Sequence, residues 1–153
     1  MTGWLRLIDY WDREWKGESF NGRCLSDELA SNTAEEAVSS RTVEGYTVWG
    51  VGLHLHRYKE IFLAKLEGRE PAYPEGDFDF PPAPEGGVTE HRWRSVLSQM
   101  GRTHDALSAR TRLLEESFLD RSFDGGAMTW AEGLISVFTH DFYHVAQIRN
   151  MKR

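Results

Sequence analysis

All five prolines of this 153-residue chain fall between Pro71 and Pro84. The surrounding stretch, Glu70 to Gly87, adds three glycines and contains the run Phe80-Pro-Pro-Ala-Pro-Glu-Gly-Gly87. Proline lacks a backbone donor and fixes φ, so such a run suits neither a helix interior nor a central strand. These residues are expected to form a long surface crossover. A crossover of this length lets the helices on either side run parallel, whereas a short loop would make them antiparallel neighbours.

On both sides of the crossover the apolar residues recur at three- and four-residue steps, with little strict alternation, which predicts an all-α chain. A first helix is expected from about Trp4 to Trp15, ending near Gly17. Asn21-Gly22 marks a turn before two short helical pieces, the second opened by the capping-box pattern Thr33-Ala-Glu-Glu36. The second long helix, from about Thr47 to Leu66, carries Val51, Leu55, Tyr58, Phe62 and Leu66 on one stripe, and Gly68 stops it. The third starts at a Thr89 cap and repeats Trp93, Met100, Leu107 and Leu114 at seven-residue steps, with Leu97 and Phe118 at partner positions, as a bundle seam does. Gly125-Gly126 precedes a second capping box, Thr129-Trp-Ala-Glu132, which launches a last helix toward Met151. The expected product is four long helices around one core. A length of 153 residues with 40% hydrophobic content suits a single domain over 1–153.

Twenty-four acidic residues against 18 basic ones give a net charge of −6, and Lys and Arg are scattered. No basic stripe is available to neutralise phosphates, so nucleic acid is not an expected partner. Cys24 is the sole cysteine, which excludes an internal disulfide and any Cys-x-x-Cys pair and fits a reducing cytoplasm. The first residues carry Asp9 and no long apolar stretch, and no segment approaches the ~20 apolar residues of a membrane span. The chain is expected to be neither secreted nor membrane-inserted.

His140 and His144 stand four apart in Thr139-His-Asp-Phe-Tyr-His-Val-Ala-Gln-Ile148, so on a helix they lie on one face and can both reach one ion. With about 100° per residue, His144 shares a narrow arc with Val137 and Ile148, and His140 sits beside it. An isolated pair of this kind is more often packed in a core than bound to an ion; a third ligand changes that. His54 and His56 on the second helix are two apart and point in different directions, so they cannot both serve. His54 borders the buried stripe, and His56 is expected to face solvent. One histidine from the second helix and a pair from the last would give three imidazoles with one or more open positions, the pattern of a catalytic metal site.

The segment Thr47-Val-Trp-Gly-Val-Gly-Leu-His-Leu-His-Arg-Tyr-Lys-Glu60 resembles the second-helix motif of the DinB-like superfamily, and His140-Asp-Phe-Tyr-His-Val-Ala-Gln-Ile148 resembles its last-helix motif. Trp15-Lys-Gly17, Leu25 to Leu29 and Thr33-Ala-Glu-Glu-Ala37 are similar to the family's link between its first two long helices. In that family the first ligand is the histidine five residues after the tryptophan, which selects His54. The resemblance implies an up-down-down-up four-helix bundle, a divalent transition metal (zinc, nickel, iron or manganese) on His54, His140 and His144, and often a homodimer. Some members transfer low-molecular-weight thiols such as bacillithiol or mycothiol, or isomerise with a thiol cofactor.

Two classes of function follow. In one, the chain is a metal-dependent enzyme acting on a small-molecule substrate, a thiol S-transferase or a hydrolase, whose metal lowers the pKa of a thiol or water. In the other it is a non-catalytic module that binds a metal or small ligand. Asp141 stands where zinc-protease helices of the His-Glu-x-x-His type carry their base, but it is one methylene shorter, so a hydrogen bond to the site's surroundings or a buried salt bridge is the expected role, with a catalytic base as the alternative. His104, on the third-helix seam, is expected as a core histidine, with ligation or proton shuttling as the alternative. His91 is expected to be solvated. Tyr58, Tyr143, Trp49 and Trp130 are expected to pack, and Gln147 either bonds near the site or lies at a surface. Trp4, Trp11 and Trp15 exceed what one buried stripe covers, which suggests a dimer surface.

Overall fold

Four threonines start helices. Thr33, Thr47, Thr89 and Thr129 each accept a hydrogen bond on the side-chain oxygen from the backbone N–H three residues on, at 3.0–3.2 Å. Each such cap contributes roughly 1 kcal/mol relative to alanine. At Thr33 and Thr129 the glutamate three residues later also reaches back to the cap's own N–H, completing both predicted capping boxes.

The computed structural model describes residues 3–72 and 79–151; residues 73–78, within the predicted crossover, lie outside them. The described residues form seven helices and no strand: α1 (Gly3–Trp15), α2 (Leu25–Ala30), α3 (Ala34–Ser39), α4 (Val48–Leu66), α5 (Glu90–Arg112), α6 (Glu116–Leu119) and α7 (Trp130–Asn150). None of them is long and apolar enough to cross a membrane.

Helix α4 packs against both α5 and α7. Along its length Trp49 meets Trp93, His56 meets Thr103 and Lys59 meets His104, so α4 and α5 run in the same direction. Against α7 the order reverses, with His54 at His140 and Phe62 at Trp130. Helix α1 meets α5 in the opposite sense, Trp4 at Thr111 and Asp12 at His104, and α7 in the same sense, Trp4 at Phe138 and Tyr10 at Phe142. Gly133 allows the close approach of α7 to α4: a Cβ there would lie 2.8 Å from Phe62 Cε1.

The apolar interior falls into two groups. One gathers Trp15, Leu29, Val51, Leu55, Trp93, Met100 and Ile148; the other gathers Ile8, Trp11, Phe62, Leu107, Leu134 and Phe138. Between them lies a buried polar layer. Lys59 and His104 each touch Trp15 of the first group and Trp11 of the second.

Three expectations need correction. Helix α5 ends at Arg112, so Leu114 and Phe118 do not extend its seam. They follow a turn, with Phe118 on α6, and still pack into the second apolar group, where Phe118 lies 5.2 Å from Trp130. The supposed aromatic surface of α1 is internal: Trp11 and Trp15 are buried and Trp4 is partly buried, because α1 is covered by both α5 and α7. His56 does not face solvent. It is buried against α5 and bonds Thr103 Oγ1 at 3.0 Å, because α4 is covered on more than the one stripe its apolar periodicity displays.

Candidate metal centre

His54 of α4 and His140 and His144 of α7 meet at their Nε2 atoms. His140 Nε2 lies 2.8 Å from His54 Nε2 and 2.9 Å from His144 Nε2. The candidate ligand atoms of the three residues all lie within 4.8 Å of one another, a group that could hold a metal ion. The helical phase delivers this convergence: His140 and His144 are one turn apart on α7, and His54 faces them across the antiparallel contact. His54 and His144 are buried, and His140 is half-buried.

The outer nitrogens settle the tautomers. His54 Nδ1 lies 3.0 Å from both the backbone carbonyl and the carboxylate Oδ1 of Asp79, and His144 Nδ1 lies 2.7 Å from Gln147 Oε1. Oxygen acceptors at both places require N–H at Nδ1, so Nε2 of each ring turns a lone pair toward His140 Nε2. A proton on His140 Nε2 can be donated to one of these lone pairs, and the other is left facing an unmatched nitrogen. A divalent ion among the three could be held by all three Nε2 lone pairs, with the His140 proton on its Nδ1. The donor set therefore fits a transition metal.

The electrostatics keep the rings neutral. Burial lowers the pKa of all three histidines, and their neighbouring imidazoles lower it further: His144 beside His54, His54 beside His140, and His140 beside His144. His144 is pushed down to about 4, the Gln147 hydrogen bond opposing the shift only in part. Neutral imidazoles are the form that binds metal.

A cleft of about 790 Å³ opens beside the group, with His140, Tyr58 and Asp79 in its wall. Tyr58 Oη lies 3.5 Å from Asp79 Oδ1, and its ring meets the edges of His54 and His140. Phe80 stacks on His54 at 4.1 Å between ring centroids. Gln147 binds at the centre's edge, its amide donating to Tyr143 Oη at 3.1 Å.

The other candidates lie elsewhere. Asp141 turns away from the three histidines; its Oδ2 receives Trp11 Nε1 at 2.7 Å and pairs with Lys59 Nζ at 2.8 Å. It is the expected buried salt bridge. His104 is a core histidine, donating from Nε2 to Asp12 Oδ1 at 2.9 Å and accepting from Lys59 Nζ at 3.3 Å. Burial lowers its pKa and Lys59 lowers it further, so it stays neutral between its two charged partners. Burial opposes ionisation of Asp12, but hydrogen bonds from His104, Arg112 and Ser108 outweigh it and hold the carboxyl at about 2. His91 is exposed, Tyr143 is mostly exposed, and Trp49 and Trp130 are buried.

Sequence reasoning missed Asp79, Phe80, Lys59 and Asp12. Asp79 and Phe80 sit at the proline run, and only the path of the crossover brings them onto His54. Lys59 carries one available signal, its place one turn after Leu55 of the apolar stripe.

Comparison with family models finds no match, and no curated protein matches the chain. Among solved structures, the crystal structure of a conserved protein from Enterococcus faecalis is similar, with a TM-score of 0.75 over 100% of this chain and 96% of that one, at 16% identity. At that identity the likeness speaks for the fold alone.

Proposed function

We propose that residues 1–153 form one DinB-like domain, a four-helix bundle of α1, α4, α5 and α7 in up-down-down-up order, that binds a divalent transition metal through His54, His140 and His144. The pairing senses of the long helices support the bundle order. The observation that carries the metal is the meeting of three Nε2 atoms whose tautomers are fixed from outside by Asp79 and Gln147.

The activity we propose is transfer of a low-molecular-weight thiol to an electrophilic small molecule. A divalent ion on three imidazoles would lower the pKa of a thiol so that its thiolate is available near neutral pH. The thiol sulfur then bonds to carbon as a carbon–halogen or epoxide carbon–oxygen bond breaks, and the thiol proton passes to solvent or to the opened oxygen. In this chain Asp79 would hold His54 in the ligating tautomer and Gln147 would do so for His144. The cleft at His140 gives a substrate access to that side. Protease-type hydrolysis is disfavoured because Asp141, the one carboxylate at the expected base position, is engaged with Lys59 and Trp11. A cytoplasmic setting belongs to the same proposal. So does a homodimer, which now rests on the family resemblance and not on the α1 tryptophans; light scattering across concentrations tests it.

The test of activity incubates metal-loaded protein with epoxides or alkyl halides and bacillithiol, mycothiol or glutathione, with His144→Ala as the control. Conjugate above the control is expected. Metal binding with no conjugate for any thiol would instead identify a non-catalytic metal- or ligand-binding module.

A further inference from the structure

The cleft beside the histidines is far larger than an ion and its waters need. At about 790 Å³ it falls in the range of sites that enclose organic ligands, where a water takes only ~30 Å³. Its two ends differ. Tyr58, Asp79 and His140 form the end at the histidines, and Ile61, Phe62, Val137, Phe123 and Met128 supply the apolar part of the lining, with Arg57 and Ser136 also on the wall. Along α4 the step from Tyr58 to Lys65 spans about 10 Å. At the far rim Lys65 Nζ pairs with Asp124 Oδ1 at 2.7 Å, so the charges there are matched to each other. Wherever a molecule in this cleft rests on Ile61, Phe62, Val137, Phe123 and Met128, an apolar group is favoured there, since a polar one would lose water against those side chains.

We infer that the cleft takes an organic ligand with a metal-binding head and an apolar body about 10 Å long, its head at Tyr58, Asp79 and His140 and its body along Ile61, Phe62, Val137 and Met128. The head assignment rests on the metal reading above. The apolar body does not.

Calorimetry on zinc-loaded protein with acetohydroxamic and octanohydroxamic acids tests the pair of assignments, since both acids carry the same metal-binding head. The longer acid should bind at least roughly tenfold more tightly, from burial of its added methylenes. Met128→Glu and Ser136→Trp, one placing a charge on the apolar lining and one filling the cleft from its wall, should each remove that gain while leaving zinc content and acetohydroxamate affinity in place. Equal affinities of the two acids, or a gain that survives both substitutions, would overturn the inference. In parallel, octan-1-ol titrated into unloaded protein should shift the methyl resonances of Ile61, Val137 and Met128. A silent cleft in that titration overturns the apolar body and leaves the metal reading standing; a failure to take up zinc, with the methyl shifts present, overturns the metal reading and the head assignment alone.

Discussion

Lys59 Nζ lies 2.8 Å from Asp141 Oδ2, and this ion pair ties α4 to α7 in the buried layer one residue past His140. Both side chains are almost wholly shielded from water. Burial lowers the lysine's pKa, and Asp141 opposes that shift. Trp15 covers the ammonium at 3.7 Å, and Trp11 donates to the same carboxylate oxygen.

Removing one partner should therefore cost more than removing both. Lys59→Met leaves Asp141 as an uncompensated buried charge, and an expected loss of about 3–5 kcal/mol follows. The double variant Lys59→Met with Asp141→Leu should recover a large part of it. Urea denaturation of the three proteins checks this; a single-variant loss under about 1 kcal/mol would mean the pair is solvated in solution.

Asp79 should matter to metal affinity and little to folding. Its carboxylate holds His54 Nδ1–H while the side chain is about half exposed, so Asp79→Ala should weaken metal binding roughly ten- to a hundredfold with helix content unchanged. Asp79→Asn, which keeps an oxygen acceptor, should lose less. Competition with a chromophoric chelator reads both values, and an unchanged affinity in Asp79→Ala would show that the Asp79 backbone carbonyl, 3.0 Å from Nδ1, holds the ring without the carboxylate.

His56 offers the opposite pattern. His56→Ala deletes a buried ring bonded to Thr103 and should cost about 1–3 kcal/mol of stability, yet metal stoichiometry should hold. Loss of metal in this variant equal to that in His54→Ala would show that the two rings exchange roles.

Acid should weaken the metal-free fold through His144. Its pKa is about 4 in the folded chain against 6.5 when exposed, so the unfolded chain binds the proton more readily between those values. Stability is then fully present above pH 6.5 and declines as the pH falls toward about 4. Bound metal should deepen the same dependence, because protons compete with it for the imidazoles. Thermal melts from pH 7.5 to 4.5 should show a smaller decline in His144→Asn; an identical decline would assign the effect to other groups.

Much of this arrangement can be read from residues that act locally. Thr33 and Thr129 carry their glutamates three positions on, and His140 and His144 share a face whatever surrounds the helix, so the caps and the histidine pair are legible from spacing. His54 is legible because it borders an apolar stripe. What escapes is set by neighbours in space. A stripe on α4 reports one buried face, and nothing local tells that α5 also covers His56. Lysine by default projects to water, so the enclosure of Lys59 becomes visible only with Trp15, His104 and Asp141 around it. Asp79 reaches His54 through a crossover whose path no periodicity encodes.

The most direct test is the metal content of the untagged protein, purified without chelators and measured by mass spectrometry alongside His54→Ala, His140→Ala and His144→Ala. One equivalent of a divalent transition metal per chain is expected in the parent and none in any of the three variants, each still helical by circular dichroism. A folded parent that takes up no zinc, nickel, iron or manganese even when each is supplied, or a variant that keeps its full equivalent, would contradict the three-histidine centre.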